Sequence, residues 1–191
     1  MPMMYGLSAV LERDIPKALD PAFQHVLDTY ASETNKTHSV WTSFAGTPLD
    51  FRPHPRSSSV IEILRHQLLS ERRFFGEFLS TPEPHASAVL PSTESTETFA
   101  ARLVELATPR LDFLASRDAR WWLGTAPFFD VERERIWIFW RRVLHSAHHR
   151  TQLTVYQRLV GEKVLPTYGP TSDFSWEGAD PTLDLNSAMR R

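Results

Sequence analysis

The sequence predicts an all-helical fold, a four-helix bundle. Apolar residues recur at spacings of three and four along four separate stretches, and few segments alternate with period two. The stretches between the first three helices are dense in Pro and Ser, which divides the helices sharply. With 191 residues, 41% of them hydrophobic, the chain is long enough to bury one sizeable core and gives no sign of a second. A single domain over 1–191 is therefore expected.

A first helix is expected from about Pro21 to Phe44, with Phe23, Val26, Leu27, Tyr30 and Ala31 as its early inner face. The segment GTPLDFRPHPRSSS ends it. Ser59 followed by Glu62 has the spacing of a capping box, in which hydroxyl and carboxylate each accept from an otherwise unpaired amide, so the second helix starts near Val60. The following TPEPHASAVLPSTES is long enough to cross the end of a bundle rather than merely reverse direction, which predicts a long crossover between helices 2 and 3. The third helix should start near Thr96, presenting Phe99, Leu103, Leu106, Phe113 and Leu114, with a kink at Pro109. The connector RDARWWLGTAPFFD is unusually aromatic; plugging the end of the core is its simplest role, and walling a pocket or meeting a partner subunit are the alternatives. A last long helix is expected from about Val131 to Val160, stopped by Gly161 as C-cap.

Composition narrows the function. A formal net charge of −2 leaves no surplus of positive charge to neutralise a phosphate backbone, so nucleic acid is not an expected partner. The absence of cysteine removes disulfides, a thiolate nucleophile and Cys-type metal ligands together. The start MPMMYGLSAVLERDIP lacks a basic region followed by a long apolar run, and no apolar stretch reaches the roughly 18 residues a bilayer span needs, which predicts a cytoplasmic protein without a membrane partner. There is no G-x-S-x-G, no Gly-rich phosphate loop and no H-E-x-x-H, and Glu62, Glu77, Glu132 and Glu134 are most simply solvated or ion-paired.

The histidines are the concentrated signal. Three of the chain's eight fall within five positions, His145, His148 and His149, on the last helix. At about 100° per residue, His145 and His149 lie about 40° apart on one face and can hold one ion together, whereas His148 points away from the midline of that pair. Ile138, Leu153, Tyr156 and Val160 flank the pair, so its rings look inward, where an unpaired imidazole is costly. Zinc-like catalytic ions usually take three protein ligands, and His66 is the natural third, at the edge of the apolar stripe of the second helix with Ile63 and Ser70 a turn away on either side. Glu62, Ser70 and Gln152 stand near enough on their helices to bond the free ring nitrogens. Tyr156 is read as packing, with a hydrogen bond to metal-bound water as the alternative. Arg73, Arg142 and Arg150 are plausible carboxylate hooks, with a solvated surface role the simpler expectation for each.

The order ILRHQLLSERRFF, then LHSAHHRTQLTVYQRLVG, then PTYGPTSD resembles the DinB/YfiT family of four-helix-bundle metalloenzymes, over roughly residues 20 to 175. That family combines one His on its second helix with His-x-x-x-His just before Arg-x-Gln on its fourth. The resemblance implies that His66, His145 and His149 bind a divalent ion, zinc or nickel, that Arg150 and Gln152 complete the motif, and that His148 is an additional histidine. Thr151 departs from the Gly often found between Arg and Gln, which leaves the ligand assignment intact. The resemblance further implies a homodimer, for which Trp121, Trp122, Phe128 and Phe129 offer apolar surface.

Three neutral imidazoles leave the ion its full charge, so either a bound water or an incoming thiol would be acidified. Two enzyme readings follow from the resemblance: a transferase joining a low-molecular-weight thiol cosubstrate to a small electrophile, and a metal-dependent hydrolase working through metal-bound hydroxide. No catalytic residue beyond the bound water or thiol is assigned. A non-catalytic metal-binding stress-response module is the third reading.

Overall fold

The structure, a computed structural model, describes residues 9–44 and 46–174. Four long helices form the bundle: α1 (Gln24–Thr42), α2 (Val60–Arg73, prolonged by a π-turn over Phe74–Phe78), α3 (Thr96–Ala115) and, after the short α4 (Ala119–Leu123), α5 (Arg135–Leu159). α1 packs on α3 and α5, and α2 on α5.

The helix ends follow local chemistry. At the start of α2 the Ser59 hydroxyl accepts from the Glu62 amide at 3.4 Å and the Glu62 carboxylate accepts from the Ser59 amide at 2.7 Å, the expected capping box. α3 begins with the same device, Ser95 exchanging bonds with Thr98. Gly161 ends α5 at φ +85, and the Glu162 amide donates back to the Gln157 carbonyl at 2.9 Å, a Schellman closure. α3 runs uninterrupted through Pro109. The bond Pro109 cannot donate would have gone to the Glu105 carbonyl, and both residues are on the exposed face, so water can serve that oxygen.

One expectation needs correction. The last helix starts at Arg135, because Val131–Glu134 forms a strand, β2, paired antiparallel with β1 (Thr125–Phe128). Ala126 and Phe128 alternate inward along β1 and bury against the core, which holds the hairpin down. Trp122 is fully buried as well, so these two aromatics plug the bundle end, and Phe129 at the hairpin tip is the connector's strongly exposed ring.

The apolar core is in two parts. One, at the hairpin end, gathers Leu27, Tyr30, Phe75, Leu114, Trp122 and Phe139; the other gathers Trp41, Ile63, Leu64, Phe99, Leu103 and Leu153. On α1, α2 and α5 the apolar run is interrupted between them, at about 32–39, 69–73 and 144–152. Buried charges fill that level.

Two ion-pair networks cross it. Glu71 accepts from Tyr30 Oη at 2.6 Å and pairs with Arg110 at 3.1 Å and Arg142 at 3.0 Å, while Arg110 also forks onto Glu83 of the crossover with two bonds of 2.7 Å. Glu33 of α1 pairs with Arg150 at 2.7 Å and Lys36 at 3.0 Å, and accepts from Tyr168 Oη at 2.6 Å; Arg150 also donates to Tyr168. Burial pushes both carboxyls up, but the guanidiniums beside them outweigh it and hold Glu33 and Glu71 below the usual carboxylate range. Chain from both ends of the bundle covers the polar part of α1. Asn35 bonds both the amide and the carbonyl of Val10, at 2.8 and 2.9 Å, and Lys36 lies 4.3 Å from the centre of the Tyr168 ring.

Candidate metal centre

The interruption in the core is where the histidines meet. His66, on α2, and His145 and His149, one turn apart on α5, offer one ring nitrogen each, all within 4.8 Å of one another. Their ring centroids are 5.2 Å (66–145), 4.7 Å (66–149) and 4.6 Å (145–149) apart. His66 Nε2 and His145 Nε2 are 3.4 Å apart. Two nitrogens bound to one tetrahedral zinc at about 2.05 Å would stand about 3.3 Å apart, so this pair already has the right span. His148 is exposed and outside the group, its ring edge-on to His149 at 5.0 Å, as the helical projection requires.

The two α5 rings are oriented differently. Gln152 Oε1 stands 3.0 Å from His149 Nδ1. Gln152 Nε2 donates to Tyr156 Oη at 3.1 Å, and Tyr156 donates to the Ser58 carbonyl at 3.0 Å. The polarity of this chain is fixed from its far end, because a carbonyl only accepts. Gln152 must therefore present its oxygen to His149, which carries its proton on Nδ1 and leaves Nε2 a bare lone pair. The hydroxyl of Tyr156 is thus committed to Ser58 and Gln152.

His145 meets a cation instead. Arg142 donates Nη1 to His145 Nδ1 at 2.7 Å, and its other bonds go to Glu71 at 3.0 Å, the Gln67 carbonyl at 3.1 Å and Ser70 Oγ at 3.3 Å. A guanidinium only donates, so neutral His145 carries its proton on Nε2, facing His66. To hold an ion through that nitrogen and stay neutral, the ring must carry its proton on Nδ1 instead, and the Arg142 Nη1 contact must then give way. Burial first, and the Arg142 charge second, push the His145 imidazole down to about 3. Burial is also the leading cause holding His66 and His149 below the ordinary histidine value. All three rings are neutral at pH 7, the state a metal requires. The donor set fits a borderline divalent ion such as zinc or nickel, for which imidazole nitrogen is a preferred ligand.

Of the other residues singled out from sequence, Gln152 bonds the His149 ring directly and Ser70 reaches the His145 ring through Arg142. Glu62 is occupied by its cap and by Arg52 at 3.2 Å. Arg142 and Arg150, expected at a solvated surface, are each 1% exposed and belong to the buried networks; Arg73 remains exposed and pairs with Glu77 at 2.9 Å. Their burial is possible because Glu71 and Glu33, which sequence reasoning passed over, meet them across the bundle. The signal was there: Glu71 continues the stripe Leu64, Gln67, Leu68, and Glu33 continues Val26, Tyr30.

Among the described residues no helix is long and apolar enough to cross a membrane. No curated protein matches the chain. Solved structures share its fold, among them two DinB-like proteins. A DinB-like protein from Bacillus cereus is 18% identical, with a TM-score of 0.65 over 74% of this chain and 94% of that one. A DinB-like protein from Bacillus subtilis is 20% identical, with a TM-score of 0.59 over 74% of this chain and 95% of that one. The DinB family model matches residues 17–179, and since that span is most of the sequence, the chain belongs to the DinB family.

Proposed function

We propose that His66, His145 and His149 hold one divalent ion, zinc or nickel, and that the protein is an enzyme joining a small thiol to a small electrophile. The observation that carries the reading is the convergence of three neutral imidazole nitrogens within 4.8 Å from two helices. An ion on three neutral ligands keeps its full charge and lowers the pKa of a thiol or water presented to it.

The chain's own residues supply orientation. Gln152, backed by Tyr156 and Ser58, keeps the His149 lone pair aimed at the group, and the Glu71–Arg142 pair holds the stretch of α5 that carries His145 against α2. With no cysteine of its own, the chain takes any thiol from a cosubstrate. A homodimer and a cytoplasmic location belong to the same reading. Leu144, Val155 and Leu159, exposed along α5, offer more apolar surface for pairing than the largely buried aromatic connector; a monomer by sedimentation would remove that part.

The test has two stages. Chelator-treated protein should keep its helical circular dichroism and regain about one equivalent of zinc or nickel, with loss in His145→Ala and His149→Ala. Unchanged stoichiometry in both variants rejects the site. Metal-loaded protein is then assayed with a halogenated aromatic electrophile, with and without a panel of small thiols. Turnover that ignores the thiol points to the hydrolase, and none at all to a binding module.

A further inference from the structure

Beside the histidines an open cavity of about 450 Å³ lies between α2, α5 and the hairpin, a size suited to a ligand of one or two rings. His66 and His145 form one side of it. Phe74, Phe128 and Phe129 form an aromatic wall, with Phe128 5.8 Å from Phe74 and 4.8 Å from Phe129 between ring centres. Arg73 and Arg141 stand at its rim.

Phe129 is held there against local preference. Phe128 pairs with Val131, so Phe129 and Asp130 are the hairpin's two loop residues, and Phe129 takes φ +55, which favours glycine at the first loop position. A ring in that conformation costs stability, and at 61% exposure it recovers little by burial. The ring rests on Phe78 and Phe128, at 5.1 and 4.8 Å, and the Arg73 guanidinium lies 5.3 Å from its centre; the rest of it stays exposed beside the cavity.

The two arginines differ in what they have left to offer. Arg73 is paired with Glu77 at 2.9 Å, a carboxylate it shares with Arg72 at 3.5 Å, and its guanidinium lies 5.3 Å from the Phe129 ring centre. Arg141 has no hydrogen-bonding, ionic or ring partner among the described residues, although its charge is close enough to be felt by His145. The rim thus carries, in Arg141, a guanidinium with no carboxylate partner beside the aromatic wall.

We infer that this cavity seats the non-reacting part of the substrate and that the substrate is a small aromatic monocarboxylate, its ring against Phe128 and Phe129 and its carboxylate on Arg141. The inference rests on the metal-centre reading for the chemistry performed there; the recognition itself depends on the wall and Arg141 alone.

Calorimetric titration of the full chain with 2-naphthoate and its uncharged counterpart 2-naphthamide, zinc-loaded and metal-free, separates the two. The acid should bind at least about tenfold tighter than the amide, the effect of one charge-assisted contact. Arg141→Gln should bring that ratio close to one while leaving the amide's affinity alone. Phe129→Gly should weaken both ligands alike without lowering the thermal midpoint. The preference should persist after chelation. If it survives Arg141→Gln, or vanishes when zinc is removed, the carboxylate is held elsewhere and the inference is overturned. Equal affinity of the two ligands, no binding at millimolar concentration, or indifference to Phe129→Gly overturns it as well. Protein that takes up no zinc yet keeps the Arg141-dependent preference would refute the metal-centre reading and leave this one standing.

Discussion

Replacing Glu71 by glutamine tests the claim that buried charge, placed where the apolar core is interrupted, holds the site together. Glu71 is 4% exposed and has three partners: Tyr30 at 2.6 Å, Arg142 at 3.0 Å and Arg110 at 3.1 Å. Together with Glu83 the cluster contains two carboxylates and two guanidiniums and is neutral. Glutamine preserves the shape but leaves one positive charge uncompensated in the interior. Breaking a buried pair on one side costs about 3–5 kcal/mol. For a chain of this size that is about 6–20 °C in the thermal midpoint, at 2–4 °C per kcal/mol.

The measurement is urea unfolding of metal-free protein followed by circular dichroism, with Tyr30→Phe as control. That control removes two hydrogen bonds, the one Tyr30 donates to Glu71 and the 3.3 Å one it accepts from Arg110, but no charge, and should cost about 1.5–3 kcal/mol, less than the charge replacement. The pH dependence gives a second readout. Because Arg142 and Arg110 hold the Glu71 carboxyl below its ordinary 4.5, its stabilisation is complete above that value and is lost as pH falls through the folded-state one. Glu71→Gln should flatten that acid limb. A loss under about 1 kcal/mol with an unchanged acid limb would show that the pairing contributes no net stability.

Gln152→Ala should weaken zinc affinity about 10–100-fold with little change in unfolding free energy, since it frees the His149 ring without touching the core; competition against a chromophoric chelator measures it. Tyr156→Phe should act in the same direction and less strongly, because it breaks the chain one bond further out. Zinc should remain bound as pH falls through 6.5, because all three imidazoles are held below that value and His145 down to about 3, so protons compete late; release centred near 6.5 would contradict the burial argument. Ser59→Ala should cost about 1 kcal/mol through loss of the α2 cap and leave zinc stoichiometry at one, checked by denaturant unfolding and metal analysis.

The helices and the histidine pair were legible because each depends on chain-local geometry. A period of 3.6 residues brings His145 and His149 to one face, and Ser59 with Glu62 states where α2 begins. The hairpin was not legible. Val131–Glu134 reads as the charged first turn of a helix, and Pro127 argues against its partner being a strand. What decides is a contact distant in sequence, the burial of Ala126 and Phe128 against the hairpin-end core. The arginines failed for a related reason. A charged residue considered singly belongs at the surface, and only its opposite across the bundle makes burial possible. Glu33 and Glu71 on inner faces were the available hint, since acidic residues on the apolar stripes of α1 and α2 call for basic ones on α3 and α5.

The positions of those arginines connect the scaffold to the site. Arg142 lies three residues before His145, and Arg150 follows His149 directly, so the two histidines of the group on α5 are bracketed by two buried guanidiniums. One is anchored to Glu71 on α2 and the other to Glu33 on α1. Apolar ridges tolerate small sliding of one helix along another, whereas a paired buried charge that slides loses its partner at a cost of several kcal/mol. The brackets therefore fix how far along the bundle α5 sits, and with it the height of His145 and His149 opposite His66. The Arg-x-Gln that follows the second histidine divides its labour accordingly: Arg150 sets the position of the helix, and Gln152 sets the orientation of the ring.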